Sequence, residues 1–166
     1  MKRLVVAIGE RGEIGKDGDM PWKRGLPADL QHFKEVTNQT SVIMGRVTFE
    51  SILASLGHPL RNRQSIVLSR SAGREDIPGA VTVPSLEAAY DEAKFSDISV
   101  IGGAAIYRLA LDSADVIEAT RVHAEFDADT FFTFDSEQWE LTSAENHDVD
   151  DKNKYAYTFE TYTRTS

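Results

Sequence analysis

The sequence predicts an α/β domain built on a mostly parallel sheet, and three observations predict it. Short apolar runs recur along the chain, at residues 2–8, 41–45, 65–69, 81–83 and 98–103. Segments of helical periodicity separate them, and strands alternating with helices are the pattern of a parallel sheet covered by helices. The tail, WELTSAENHDVDDKNKYAYTFETYTR (139–164), reads instead as two long strands around an acidic turn. The expected fold class is therefore α/β. A central, mostly parallel twisted sheet carries an antiparallel C-terminal hairpin, with helices on both faces, in a single domain over residues 1–166.

Each element has its own reason. Residues 2–8 form a buried first strand, and a glycine-rich loop, GERGEIGKDGDMPW, follows. Pro27 is suited to open a helix over 28–37, because its missing N–H is not needed in the first turn. SVIMG (41–45) is a strand ending in glycine, and RVTFESILASL (46–56) is a helix. SIVLS (65–69) and VTV (81–83) are strands, and Ser85 opens a helix over 85–94 as a cap. ISVIGG (98–103) is a strand, AAIYRLALD (104–112) a helix and DVIEATRV (115–122) a strand. In the tail, Tyr155, Tyr157 and Phe159 alternate at strand period.

Composition narrows the function. A 166-residue chain that is 41% hydrophobic is globular rather than disordered. No apolar run is long enough to span a membrane, and the basic-then-apolar start is interrupted by Glu10 and Arg11, so a cytoplasmic protein is expected. The absence of cysteine excludes disulfides, thiolate metal sites and cysteine nucleophiles. A net charge of -9 repels nucleic acid and anionic membranes, so an anionic ligand must meet a local basic patch. His32, His58, His123 and His147 show no metal-ligand spacing and read as surface or loop residues. The DVDDKN turn lacks the glycine and terminal glutamate of a calcium loop and reads as a solvated turn. No metal is expected.

Three strand ends carry residues suited to phosphate. VIGGAAIY (100–107) runs from a strand through two glycines into a helix, whose first N–H groups are free for an anion. It is not the GxGxxG fingerprint, so a phosphate site and a plain tight turn both remain open. MGRVTFES (44–51) repeats the arrangement, and VLSRS (67–71) ends a third strand with Ser69 and Arg70. Guanidinium binds phosphate bidentately, although lone arginines are more often solvated. Ligands of open α/β sheets sit beyond the carboxyl ends of strands, and three such ends favour an extended, multiply phosphorylated ligand such as a dinucleotide.

Asp29 is the remaining candidate. On a helix it lies about 40° from Phe33, with Val36 close by and Leu30 flanking the stripe. It is either a helix-start acid stabilised by the macrodipole or a partly buried carboxylate facing an amidine-like ligand.

The segments MPW, LPADL, VIMGRVTFESI and VIGGAAIY, in this order, resemble the dihydrofolate reductase family over nearly the whole chain. The resemblance implies a dihydrofolate reductase-like fold and NADPH-dependent hydride transfer to C6 of dihydrofolate, with protonation of N5. It implies that Asp29 binds the pterin 2-amino group and N3, with Thr120 hydrogen-bonded to Asp29. Met20 and Trp22 would lie in a mobile loop that closes over the nicotinamide. Val6, Leu30, Phe33, Ile52, Leu60, Ile101 and Tyr107 would line the substrate site. Arg63 would bind the glutamate α-carboxylate. For the cofactor it implies Ala7 and Ile14 at the nicotinamide carboxamide, with Gly15 and Thr130 also cofactor-binding. Gly45, Arg46, Val47, Thr48, Leu68, Ser69 and Arg70 would surround the diphosphate, adenine and 2′-phosphate. Gly102, Gly103, Ala104, Ala105, Ile106 and Tyr107 would cradle the pyrophosphate, with a cis peptide between the two glycines. Asp129 would brace the closed loop, and Pro84 replaces a basic contact of the family.

Lys23, Arg24 and Gly25 add residues before the LPAD motif, and LASLGHP (53–59) lengthens a second loop. Lys154 stands where some relatives carry a serine that pins the loop in an occluded form, so that form is not expected in the usual way. A monomer is expected by resemblance. Two rivals remain: a same-fold reductase of a riboflavin-pathway pyrimidine, and a nucleotide-binding module without catalysis.

Overall fold

A computed structural model describes residues 1–69 and 78–165. Arg70, and with it the end of the VLSRS segment, lies outside the described residues. The chain forms two compact units, one of Met1–Arg3 with Thr37–Ala114, the other of Leu4–Val36 with Asp115–Ser166. Among the described residues, the main strands of each unit are hydrogen-bonded into sheet, and two short strands form a separate pair.

The first unit holds β3 (Ser41–Gly45), β4 (Gln64–Leu68), β5 (Val81–Val83) and β6 (Ile98–Gly102), hydrogen-bonded in the order β5-β4-β3-β6. All three pairings are parallel. Strands buried on both faces should read as continuous apolar runs, and every residue of β6 is buried. The polar exceptions are satisfied. Thr40 and Ser99 hydroxyls lie 3.0 Å apart, and Ser41 donates to Gln64 at 2.6 Å. Helix α2 (Arg46–Leu56) ends at Gly57 in the left-handed region, whose N–H returns to the Leu53 carbonyl. Helix α3 (Leu86–Glu92) is capped by Ser85, which accepts from Ala88 N–H at 3.1 Å. Helix α4 (Ala104–Ala110) passes into a 3-10 turn at Leu111–Ser113, slightly shorter than the expected helix. Phe49, Val42, Ile43, Met44, Ile66 and Val67 form the fully buried core of this unit.

The second unit holds most of β1 (Lys2–Ile8), with α1 (Pro27–Thr37), β7 (Val116–Val122), β9 (Trp139–His147) and β10 (Tyr157–Arg164). The expected hairpin is present: β10 pairs antiparallel with both β7 and β9, with a bulge at Thr161/Tyr162. Between its two ends β9 is exposed and mostly polar, with Glu140 and Glu145 charged, which protects an edge strand from pairing with another chain. Two elements go beyond the sequence expectation. β2 (Glu13–Gly15), inside the glycine-rich loop, pairs with β8 (Thr130–Phe131).

Other expectations need correction. His32 and His147 are neither loop nor bare surface residues. His32, on α1, stacks on Phe159 with centroids 3.8 Å apart, and His147, ending β9, stacks on Tyr157 at 4.9 Å. The DVDDKN turn is not merely solvated, because Asn153 within it is 5% exposed.

Candidate active site

In the second unit the sequence brings Asp29 to the inward side of α1. The Asp29 side chain is buried, 8% exposed, and accepts a hydrogen bond from the Thr120 hydroxyl on β7. Burial pushes its pKa up, and the Thr120 bond and nearby His32 only partly offset this. The β10 register places Phe159 opposite Thr120, so the stacked His32 and the carboxylate share one wall. Leu30 is 47% exposed and Phe33 half-buried. Val6 is buried on β1.

The segment before α1 carries its own apolar contacts. Trp22, Leu26, Val122, Phe126 and Tyr157 form a cluster, and Ala7, Met20 and Ala28 pack against it. Trp22 meets Phe126 edge-on at 5.3 Å. Its indole Nε1 is buried and has no acceptor among the described residues, so it has a donor to give a ligand. Thr130 lies opposite Gly15 in the β2–β8 pairing, and a Cβ on Gly15 would sit 3.1 Å from Thr130 Cβ. Asp129 Oδ2 accepts from Asp17 N–H at 2.9 Å, and its own N–H donates to the Gly15 carbonyl at 3.0 Å. Asp129 thus holds the glycine-rich loop where Ile14 is presented.

In the first unit the candidates gather at the ends of parallel strands. The Gly102–Gly103 peptide is cis, and Gly102 has φ +121°. A Cβ there would lie 3.2 Å from the Tyr107 hydroxyl, which donates to the Ile101 carbonyl at 2.9 Å. Tyr107 is buried and supports the diglycine from α4. A Cβ on Gly103 would meet nothing within 4 Å, and no side chain caps α4 at this residue. Gly45 likewise leads into α2 without a side-chain cap, and a Cβ there would reach Ile106 at 3.4 Å. Arg46 forms an i,i+4 pair with Glu50 at 3.0 Å, an exposed pair weak enough to yield to a phosphate. Val47 and Ala105 are exposed and Thr48, Ile106 and Ser69 half-buried, while Ala104 is buried. Ile52 and Leu60 are half-buried. Arg63 donates from Nε to Thr37 Oγ1 at 2.8 Å and from Nη1 to the Arg61 carbonyl at 2.7 Å.

Sequence reasoning missed a groove of about 230 Å³ beyond the ends of β4 and β5, lined by Leu68, Pro84, Ser85, Leu86, Glu87 and Leu109. Leu68 and Pro84 carry a signal at their strand ends. Leu109 carries none, because only the packing of α4 turns it toward them. Among the described residues, no group of three or more His, Asp or Glu could hold a metal ion, and no helix is long and apolar enough to cross a membrane.

A buried carboxylate suited to a flat, amidine-bearing ring, with uncapped diglycine and glycine–arginine strand ends suited to phosphates, defines the class of a nucleotide-dependent α/β enzyme. The chain belongs to the dihydrofolate reductase family, whose model, described as dihydrofolate reductase, matches residues 1–164. It is similar to dihydrofolate reductase of Bacillus subtilis, 41% identical over 98% of this chain and 94% of that one. The Haemophilus influenzae enzyme is 40% identical over 97% of each chain. The solved structure of Enterococcus faecalis dihydrofolate reductase, complexed with NADP(H) and RAB-propyl, superimposes with a TM-score of 0.87. It is 36% identical and covers 100% of this chain and 97% of that one.

Gly102→Ala is expected to destabilise the protein by about 1–3 kcal/mol, since alanine resists this backbone conformation. Thermal melts with and without NADPH check this, and the stabilisation by NADPH should shrink as well.

Proposed function

We propose that this enzyme reduces 7,8-dihydrofolate to 5,6,7,8-tetrahydrofolate with NADPH, supplying one-carbon metabolism. The observation that carries the reading is the buried Asp29 held by Thr120. Ionised, it accepts charge-assisted hydrogen bonds from the pterin 2-amino group and N3, which orient the ring. Leu30, Phe33 and Val6 flank the ring, and Ile52, Leu60 and Ile101 contact it and the benzoyl group. Arg63 takes the glutamate α-carboxylate. The indole N–H of Trp22 supplies one further donor, to the substrate or to a bridging water.

The residues present fit NADPH. In the diglycine before α4, a Cβ at Gly102 would press on Tyr107 while one at Gly103 would enter open space, and the start of α2 carries Arg46 and Thr48. The groove of about 230 Å³ has room for an adenine, with Leu68, Pro84, Leu86 and Leu109 on its walls beside the polar Ser85 and Glu87. Ala7, Ile14 and Gly15 offer backbone groups to the carboxamide. When bound, NADPH supplies the hydride delivered to C6. The protein orients the acceptor, excludes bulk water through the loop bearing Met20, and admits the water that protonates N5. Asp29 polarises and holds the ring rather than delivering that proton itself.

We read residues 1–166 as a single domain and the protein as a cytoplasmic monomer. The net charge of -9 supports a preference for small ligands over nucleic acid or membranes. The test is loss of nicotinamide absorbance when protein, NADPH and dihydrofolate are mixed. Turnover of dihydrofolate but not of a riboflavin-pathway pyrimidine is expected. Tight NADPH binding without turnover would favour the binding module.

A further inference from the structure

We propose that Asn153, in the connection between β9 and β10, is a positioning residue for Asp29. The inference rests on the dihydrofolate reading above. Helix α1 cannot cap itself: Leu26, before it, has no side-chain acceptor, and Pro27 has no N–H. Asp29 N–H reaches the Leu26 carbonyl at 3.1 Å. The Ala28 N–H, one peptide before Asp29, is taken by Asn153 Oδ1 at 3.0 Å, from 125 residues away.

The Asn153 amide has one orientation. Its Nδ2 donates to Asp150 Oδ1 at 3.0 Å and Oδ2 at 3.2 Å, and its backbone N–H donates to Oδ1 at 2.7 Å. Lys152 N–H donates to the same oxygen at 2.9 Å. An ionised carboxylate only accepts, so Asp150 claims the NH₂ end and turns the amide oxygen toward Ala28. The next residue completes the tie, with Lys154 N–H donating to the Gly25 carbonyl at 2.8 Å. Residues 25–28 are therefore held at both ends by one turn. A carboxylate that must meet two substrate donors tolerates little displacement, so fraying of this first turn falls directly on Asp29.

The test compares wild type, Asn153→Ala, Asn153→Asp and the double variant that exchanges the two side chains, Asp150→Asn with Asn153→Asp, in steady-state assays. Thermal melts and quenching of tryptophan fluorescence by dihydrofolate accompany them. Asn153→Ala should raise the KM for dihydrofolate about tenfold, the scale of a lost helix cap, with the KM for NADPH unchanged. The acid limb of its kcat/KM profile should move, which a purely structural loss would not cause. Asn153→Asp alone sets two carboxylates together and should bind dihydrofolate poorly above the carboxylate range. The exchange restores both bonds and should recover the wild-type KM. The carboxylate, moved to position 153, accepts from Ala28 N–H, and the amide, moved to position 150, donates to that carboxylate. A lower melting temperature with unchanged KM in Asn153→Ala overturns the proposal. If that variant does not fold, an exchange variant no better than Asn153→Asp overturns it. Wild type that neither binds nor reduces dihydrofolate would show that the functional reading itself has failed.

Discussion

Replacing Asp29 with Asn is expected to lower kcat/KM for dihydrofolate by about two to three orders of magnitude, the loss of two hydrogen bonds to a charged acceptor. The same change should raise the melting temperature at neutral pH. Burial raises the Asp29 pKa above the ordinary aspartate value, so the folded protein resists its ionisation. The sign follows from linkage. Stability attributable to Asp29 is greatest below the unfolded pKa and is lost as pH rises through the higher folded value. At neutral pH the charged side chain therefore strains the fold, and a neutral amide of the same shape relieves it. The stability gap between variant and wild type should widen from acid to neutral pH in denaturation curves. Dihydrofolate affinity of the wild type should weaken as pH falls through the raised pKa, because the binding form is the carboxylate. Wild-type turnover in the Asn variant would return Asp29 to a helix-start acid serving the macrodipole.

What the sequence made legible follows from locality. The parallel strands were readable because burial on both faces leaves apolar runs, as in Val42–Met44 and Ile66–Leu68. Pro27 and Ser85 marked helix starts because capping chemistry is written within a few residues. β2 was missed because three residues carry no periodicity and its pairing to Thr130–Phe131 is a tertiary fact. The candidate site divides in the same way. Spacing drew attention to Asp29 and the Gly102–Gly103 turn but left each open, and only the family resemblance gave them roles. The cap from Asn153, the groove at Leu109 and the stacking of His32 on Phe159 join residues far apart in the chain. No local pattern distinguishes those residues from solvated ones.

Glu13 belongs to the same illegible class, and its removal should be the largest single loss of stability in the loop region. It looks like a surface acid in GERGEIG, yet its side chain is fully buried. Arg11 N–H and Phe126 N–H each reach it at 2.6 Å, and Arg11 Nε at 3.4 Å. Gly9 makes room for it, since a Cβ there would lie 2.9 Å from Oε1. Burial pushes its pKa up, but the backbone donors and Arg11 outweigh burial and leave it lowered. Glu13→Leu leaves the Phe126 and Arg11 backbone N–H groups without their acceptor and should cost about 3 kcal/mol or more. Glu13→Gln keeps one acceptor and should cost about half that. Because the folded pKa is depressed, the wild-type advantage is complete above the unfolded pKa and is lost as pH falls through the folded value. Urea unfolding of the three proteins at neutral and strongly acid pH tests this: the wild type should converge on Glu13→Gln in acid. A gap that persists undiminished would mean that shape, not charge, holds the loop. Since Glu13 begins the strand that presents Ile14 and Gly15, the KM for NADPH should rise in both variants at neutral pH, linking the buried carboxylate to the cofactor through β2.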